Sequence, residues 1–271
     1  FKSDIKIKRI SLILEELDIT QLSKLSKMIK PSNFKSLLTN KIKKGKLISE
    51  IEIFLSEKGK LENFIAKGNI KSLEIDLFSG FRFTNAALGF FADKNDILIK
   101  NIIGDLNDVK ISDGDIKINF GSGIKIKSNF KSKIDLNKDL IKNYIKFFKN
   151  YKFADTLENL KADFNNTLSI NLDKTYKVDN YNYNLLGNIK NSKFALKKTI
   201  KNNFIKNEIK DIYLSNFQLA MKFNPEIIKL EGKGKYSLNN SDFLKINLDN
   251  QIKKDKFNLS LNFDYGERLQ L

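Results

Sequence analysis

The residues able to do chemistry in this chain are carboxylates. Glu15-Glu16, Asp105-Asp108 and Asp113-Asp115 stand close enough in sequence for general acid–base work. The partners such work needs are missing: the 271-residue chain has no His and no Cys. That removes the usual base near neutral pH, the commonest metal ligand and all thiol chemistry. The aspartates fall in segments that read as turns, where Asp caps its own backbone. Asp105 to Asp115 is rich in Asp but lacks the ligand spacing and closing Glu of an EF-hand. Gly121-Ser122-Gly123 has no P-loop Lys and no strand-to-helix context, and no Ser sits in a Gly-x-Ser-x-Gly elbow. The sequence therefore predicts no enzyme, no metal and no cofactor.

What remains is a surface. From Asp96 to Leu136, apolar residues alternate with Lys or polar residues: Ile97 and Ile99, Val109 and Ile111, Ile116, Ile118 and Phe120, Ile124 and Ile126, then Ile134 and Leu136. Breaks are expected at Asn107-Asp108, Asp113-Gly114 and Gly121-Ser122-Gly123. Strict alternation makes strands with one apolar and one polar face. The chain thus reads as mainly β with short amphipathic helices, built on a long antiparallel meander.

Earlier strands are expected over Ile5 to Leu14, Leu47 to Leu55 and Phe64 to Ile75. Later ones are expected at Leu168-Ile170-Leu172, Tyr181-Tyr183-Leu185, Phe194-Leu196, Phe217-Leu219-Met221-Phe223, Leu230 to Leu238, Ile246-Leu248 and Phe257-Leu259-Leu261-Phe263-Tyr265. Asp18 or Thr20 caps a helix over Gln21 to Ile29, which Pro31 stops. Asn137 caps a second, with Leu140, Ile141, Tyr144, Ile145 and Phe148 on one stripe. Tyr151 to Asp163 reads equally as helix or loop. The Leu140 helix is the natural seam, so two segments are expected: 1–136, a strand, short helices and a β-meander, and 137–271, the amphipathic helix and a second β segment. Gly68-Asn69-Ile70-Lys71 and Gly187-Asn188-Ile189-Lys190 echo one another across that seam.

The formal net charge is +17, with 49 Lys+Arg against 32 Asp+Glu. Arg occurs only at Arg9, Arg82 and Arg268, while Lys, Asn and Ile are all inflated, the pattern of an AT-rich coding bias. Base and phosphate recognition favours Arg for its fork. Aromatics sit with Ile and Leu on the apolar side rather than among exposed basic residues. No nucleic-acid partner is expected. No run reaches the roughly 20 apolar residues of a spanning helix. A chain opening on Phe1 reads as an internal or processed piece, with any targeting or anchoring segment outside it.

The order of elements carries a resemblance. A strand leading into Leu17-Asp18-Ile19-Thr20-Gln21-Leu22, a short helix, then Gly45-Lys46-Leu47-Ile48-Ser49-Glu50-Ile51 resembles the middle part of AsmA-like proteins of the TamB and YhdP branches. Lys60 to Ser72, through Gly68-Asn69-Ile70, resembles that family's strand-with-Gly pattern, and Ile97 to Leu136 resembles its long β run. The resemblance implies an elongated meander curled into an open, taco-shaped groove. It implies a periplasmic protein of the Gram-negative envelope, anchored to the inner membrane by a segment outside this chain and meeting an outer-membrane partner. Its apolar lining would shield phospholipid acyl chains in transport between the membranes or in outer-membrane biogenesis. Candidate lining residues are Phe64, Ile70, Ile97, Ile99, Ile116, Ile118, Phe120, Ile124, Ile126, Leu168, Ile170, Leu172, Phe217, Leu219, Phe257, Leu259, Leu261 and Phe263. Two other readings fit the alternation: a closed-core β-sandwich serving interaction or adhesion, and a transmembrane β-barrel.

Overall fold

Alternation of apolar and polar residues builds thirteen strands in a computed structural model that describes residues 7–21, 40–77, 80–121, 123–145, 154–175, 177–201, 207–253 and 256–266. They are β1 (Arg9–Asp18), β2 (Ile42–Leu55), β3 (Leu61–Asp76), β4 (Arg82–Asp93), β5 (Asp96–Leu106), β6 (Val109–Phe120), β7 (Ile124–Asn137), β8 (Leu157–Leu172), β9 (Val178–Ile200), β10 (Ile209–Phe223), β11 (Ile227–Leu238), β12 (Leu244–Lys253) and β13 (Lys256–Phe263). They follow one another in chain order in a single antiparallel sheet, and β1 and β13 have one neighbour each, so the sheet is not closed into a barrel. The chain is mainly β, as the alternation implies.

One helix, α1 (Lys138–Ile145), interrupts the strands among the described residues. Asn137 caps it as expected: its Oδ1 accepts from the N–H of Asp139 at 3.1 Å and of Leu140 at 3.0 Å. Ile141 is its buried residue. Asp18 Oδ1 accepts from the Thr20 N–H at 2.9 Å and hydroxyl at 2.7 Å, forming the turn after β1. The helix expected from Gln21 to Ile29 lies, beyond Gln21, outside the described residues, as does the end of the Leu140 helix. The ambiguous stretch before Asp163 resolves into a short 3-10 turn, Ala154–Thr156, and the start of β8.

Several strands are longer than their sequence pattern suggests, and in β6 a β-bulge sits where a turn was expected. Asp113-Gly114 does not break the chain; β6 runs through it, with Asp113 at φ 49°. Without any left-handed residue, β7 joins Ile124-Ile126 to Ile134-Leu136 in one strand, and β9 joins Tyr181-Leu185 to Phe194-Leu196. The chain divides into two compact units, residues 1–130 with 169–179, and residues 131–168 with 180–271.

In the first unit, five strands each carry a residue in the left-handed backbone region: Glu16 in β1, Ser72 in β3, Asn85 in β4, Asn101 in β5 and Asp113 in β6. Each coincides with a slip in pairing register. A bulge inserts one extra residue, bends the strand and reverses which side chains face inward beyond it. The inward set on β5 is therefore Ile97 and Ile99 before Asn101, then Ile102, Gly104 and Leu106 after it. On β4 it is Phe83, then Ala86, Leu88 and Phe90. The residues that follow Ser72, Asn85, Asn101 and Asp113 are Leu73, Ala86, Ile102 and Gly114, and all four are buried. Leu73 pairs with Ala86 and Ile102 with Gly114, so the bulges line up as a crease across consecutive strands. The crease packs because small residues meet large ones. Ala86 is 0% exposed, and a Cβ on Gly104 would lie 2.8 Å from the Phe83 ring and 3.0 Å from Ala86 Cα.

Asn tolerates the left-handed region better than other non-Gly residues, and β-branched residues tolerate it worst. The exposed Asn101 side chain makes this testable free of packing effects. Asn101→Val is expected to cost about 1–2 kcal/mol in urea unfolding, while Asn101→Gly stays within about 0.5 kcal/mol of the parent. Equal losses from both would mean that backbone strain is not what selects Asn there.

In the second unit, Ala162, Phe164, Ile189 and Phe217 form the core, with Leu160, Leu185, Leu214 and Leu219 among the partly buried residues packed on it. Phe217 follows another left-handed residue, Asn216, at a further register slip. Its ring lies across the backbone of β11, where a Cβ on Gly232 would fall 2.2 Å from the ring and one on Gly234 2.5 Å from Phe217 Cα.

Candidate functional site

In the first unit, the phase-corrected apolar sides of five successive strands form a trough of about 320 Å³. Leu73 and Ile75 come from β3, Phe83 and Leu88 from β4, and Ile99, Ile102 and Leu106 from β5. Ile111, Gly114 and Ile116 come from β6, and Ser128 and Phe130 from β7; Leu77 closes the list of lining residues just beyond β3. Ser128 is the one polar side chain among them. Cross-strand pairs run straight across the floor: Leu73 opposite Ala86, Ile99 opposite Ile116, Ile102 opposite Gly114. Such pairs fix spacing to about 4.5–5.5 Å between Cβ atoms. The floor is therefore a regular apolar surface.

The other face of the sheet in this unit, over β1 to β5, mixes charged and apolar side chains. The register stacks Ile13, Glu50, Lys67, Phe91 and Leu98 in one row along a shallow depression of about 550 Å³. Glu50 and Lys67 pair there at 2.7 Å, and that hydrogen bond holds the Lys67 ammonium above its usual pKa. Exposed ion pairs of this kind contribute little stability.

Of the carboxylates singled out in the sequence, Glu16, Asp105 and Asp115 have structural partners. Glu16 pairs with Lys46 at 2.6 Å, which holds its carboxyl below the usual range. Asp105 accepts from Asn85 Nδ2 at 3.0 Å, and Asp115 accepts from the Asn101 N–H at 3.2 Å, each bracing a bulge. Among the described residues, no three carboxylates gather in a way that could hold a metal.

The eighteen candidate lining residues fall into distinct surroundings. Ile99 and Ile116 lie on the trough floor itself. Ile97 pairs with Ile118 one step along, and Phe64 and Ile70 belong to the same inward row of β3. Ile124 and Ile126 are half-buried between exposed Lys125 and Lys127, in phase with Ser128 and Phe130; Phe120 is exposed at the end of β6. Leu168, Ile170 and Leu172 are half-buried along β8. In the second unit Phe217 is 3% exposed and part of the packed core, with Leu219 against it, whereas Phe257, Leu259, Leu261 and Phe263 are 46–60% exposed along β13.

Much of the trough, including Leu73, Leu88 and Ile102, escapes a reading that demands unbroken alternation. The signal for it is a one-residue slip in phase at an Asn, Asp or Ser. The second unit also carries a polar node on its apolar side. Asn166 Nδ2 donates to Ser132 Oγ at 3.0 Å, and Tyr183 OH donates to Asn166 Oδ1 at 2.7 Å. Burial pushes the Tyr183 phenol above its ordinary pKa.

No helix among the described residues is long and apolar enough to cross a membrane. Comparison of the chain with models of known families, with characterised proteins and with solved structures returns no match.

Proposed function

We propose that this chain is a non-enzymatic segment of an AsmA-like bridge protein of the Gram-negative envelope. In that role it holds phospholipid acyl chains on its apolar sheet face during transport between the inner and outer membranes, or during outer-membrane biogenesis. The observation that carries the reading is the open trough over β3 to β7, apolar on every side chain but Ser128. Burying a methylene is worth about 0.8 kcal/mol, so a few contacts with the floor hold an acyl chain without any charged anchor. Lys-rich outward faces keep such a surface in water. The periplasmic setting and the inner-membrane anchor rest on the resemblance in element order.

The test is retention. Protein purified from a Gram-negative host without detergent is expected to carry phospholipid or fatty acid, read by mass spectrometry of an organic extract. It is also expected to bind a fluorescent fatty acid with a blue-shifted emission. Neither lipid nor probe bound, under conditions where a known carrier retains both, would count against the proposal and favour a closed-core interaction module.

A further inference from the structure

The turns of an antiparallel sheet built in chain order fall alternately at its two ends. In the first unit the turns β2–β3, β4–β5, β6–β7 and β8–β9 share one end. Two of them are charged at the tip: Glu57, Lys58 and Lys60 follow β2, and Lys94 stands between Asp93 and Asp96 after β4. The β6–β7 turn differs. From Ile118 to Ile124 the chain carries no charge, yet Phe120, at the end of β6, is 43% exposed. The Phe120 N–H donates to the Asn95 carbonyl at 2.8 Å and the Gly121 N–H to the Gly123 carbonyl at 3.0 Å, which holds the tip in place. Gly123 brings the next tip alongside, since a Cβ there would lie 2.3 Å from the Leu172 carbonyl oxygen. That neighbouring turn leads into Val178, which is 59% exposed.

Behind these apolar tips lies a collar of unmatched cations. Along β1 to β5 the strand cations are mostly matched by carboxylates: Lys46 has Glu16 at 2.6 Å, Lys67 has Glu50 at 2.7 Å, Arg82 has Asp76 at 2.8 Å and Lys100 has Asp115 at 3.7 Å. Lys117 on β6 and Lys125 and Lys127 on β7 are exposed, and among the described residues none has a carboxylate within 4.0 Å. Lys117 and Lys127 stand equally far behind Phe120 and Ile124, about 10 Å at about 3.3 Å per residue. Like charges on adjacent strands repel, a cost to the fold that an external anion would offset. Lys174 and Lys177 in the neighbouring turn are likewise exposed and unmatched. The carboxylate beside them, Asp173, is engaged in its own turn, accepting from the N–H of Thr175 at 2.7 Å and of Lys177 at 3.1 Å.

We infer that the β6–β7 and β8–β9 tips dock the protein on an anionic phospholipid bilayer. Phe120 and Val178 enter the boundary between head groups and acyl chains, and the lysines reach the surrounding phosphates on long flexible stems. Apolar burial and charge attraction act together there, and each lysine near an anionic surface contributes about fivefold in affinity. A bilayer fits this surface better than a nucleic acid does. The cations are all Lys, without the fork of Arg, and the aromatic ring lies at a tip rather than on a face where bases could stack. The contact does not involve the trough floor, so it stands separately from acyl-chain binding there.

The chain has no Trp, so Phe120→Trp supplies a single reporter. Its emission is expected to shift to the blue, and to be quenched by brominated acyl chains, on vesicles of phosphatidylglycerol with phosphatidylcholine but not of phosphatidylcholine alone. Phe243→Trp, at a second-unit residue that is also 43% exposed, is expected to stay unchanged. In vesicle flotation, Lys117→Gln, Lys125→Gln and Lys127→Gln together are expected to weaken binding about a hundredfold, with an unchanged far-UV spectrum. Fatty-acid binding in the same variant is expected to persist, which keeps a failure here distinct from a failure of the trough. The same loss of charge at Lys222, Lys233 and Lys245, exposed in the second unit, is expected to leave vesicle binding within about twofold, since distant charges are screened. Absence of vesicle binding by the parent overturns the inference, as does an emission of Phe120→Trp that anionic vesicles leave unchanged. Equal losses in the two triple variants also overturn it, because net charge alone would then be the attraction. Duplex DNA that displaces the vesicles and is itself released by the Lys117, Lys125 and Lys127 substitutions overturns it in favour of a nucleic-acid site.

Discussion

Truncating Phe217 to alanine is expected to destabilise the protein by about 3–5 kcal/mol, the range for removing a buried aromatic ring. The ring is 3% exposed and sits in one cluster with Ala162, Phe164 and Ile189. It reaches that position because Gly232, on the next strand, leaves it room: a Cβ there would meet the ring at 2.2 Å. The two residues are therefore one packing unit, and the converse change carries the converse fault. Gly232→Val forces the ring off its seat and is expected to cost at least about 1–3 kcal/mol, despite the better strand propensity of valine. The decisive variant is the double one. With the phenyl gone, the valine methyls occupy the vacated space, so Phe217→Ala with Gly232→Val is expected to be more stable than the sum of the single losses by about 1 kcal/mol or more. Urea unfolding followed by tyrosine fluorescence reads this, since the described tyrosines all lie in the second unit. Simple additivity would show that the ring and the glycine do not share one space.

Phe217 also shows where sequence patterning runs out. Phe217 and Phe257 carry the same signal, a Phe in an alternating run, yet one is buried and the other is 60% exposed. The difference lies in what the neighbouring strands supply. Phe217 has Ile189 on one side and a pair of glycines on the other; Phe257 has Ile252 on one side and, among the described residues, no strand on the other. Alternation reports which face a side chain is on and is silent about its cover.

The same limit explains the misplaced turn. Asn107 and Asp113 have nearly the same backbone conformation, φ 50° and 49°. Asn107 reverses the chain between β5 and β6, whereas Asp113 bulges within β6. A left-handed residue permits either outcome, and whether the residues beyond it pair with the same neighbour decides between them. That is a non-local fact. What the sequence does carry is the slip of phase: Ile99 to Ile102, Ile111 to Gly114, and Leu214 to Phe217 are each three apart where strict alternation demands two. The helix cap at Asn137 is legible for the opposite reason, since its hydrogen bonds lie within three residues.

The trough makes the strongest claim about function, and two substitutions of different kinds test it together. Ile116 lies on the floor opposite Ile99. Ile116→Asp places a short side chain there, unable to lift its charge clear of an acyl chain, and desolvating a carboxylate without a partner is costly. Losing contact with even two to four methylenes forfeits about 1.6–3.2 kcal/mol, so fatty-acid affinity is expected to fall about 15-fold to 200-fold. Because Ile116 is half-buried, some loss of stability accompanies that change, and binding alone would leave the cause open. Ser128→Phe separates the two effects. Ser128 is the polar member of the lining, and a phenyl ring there fills the trough with apolar atoms while adding buried surface. It is expected to block the probe as strongly as Ile116→Asp while leaving the thermal midpoint at or above that of the parent. Lys117→Asp changes charge on the exposed face of the same strand and is expected to leave binding within twofold. Probe binding that survives Ser128→Phe would move the acyl site off this floor.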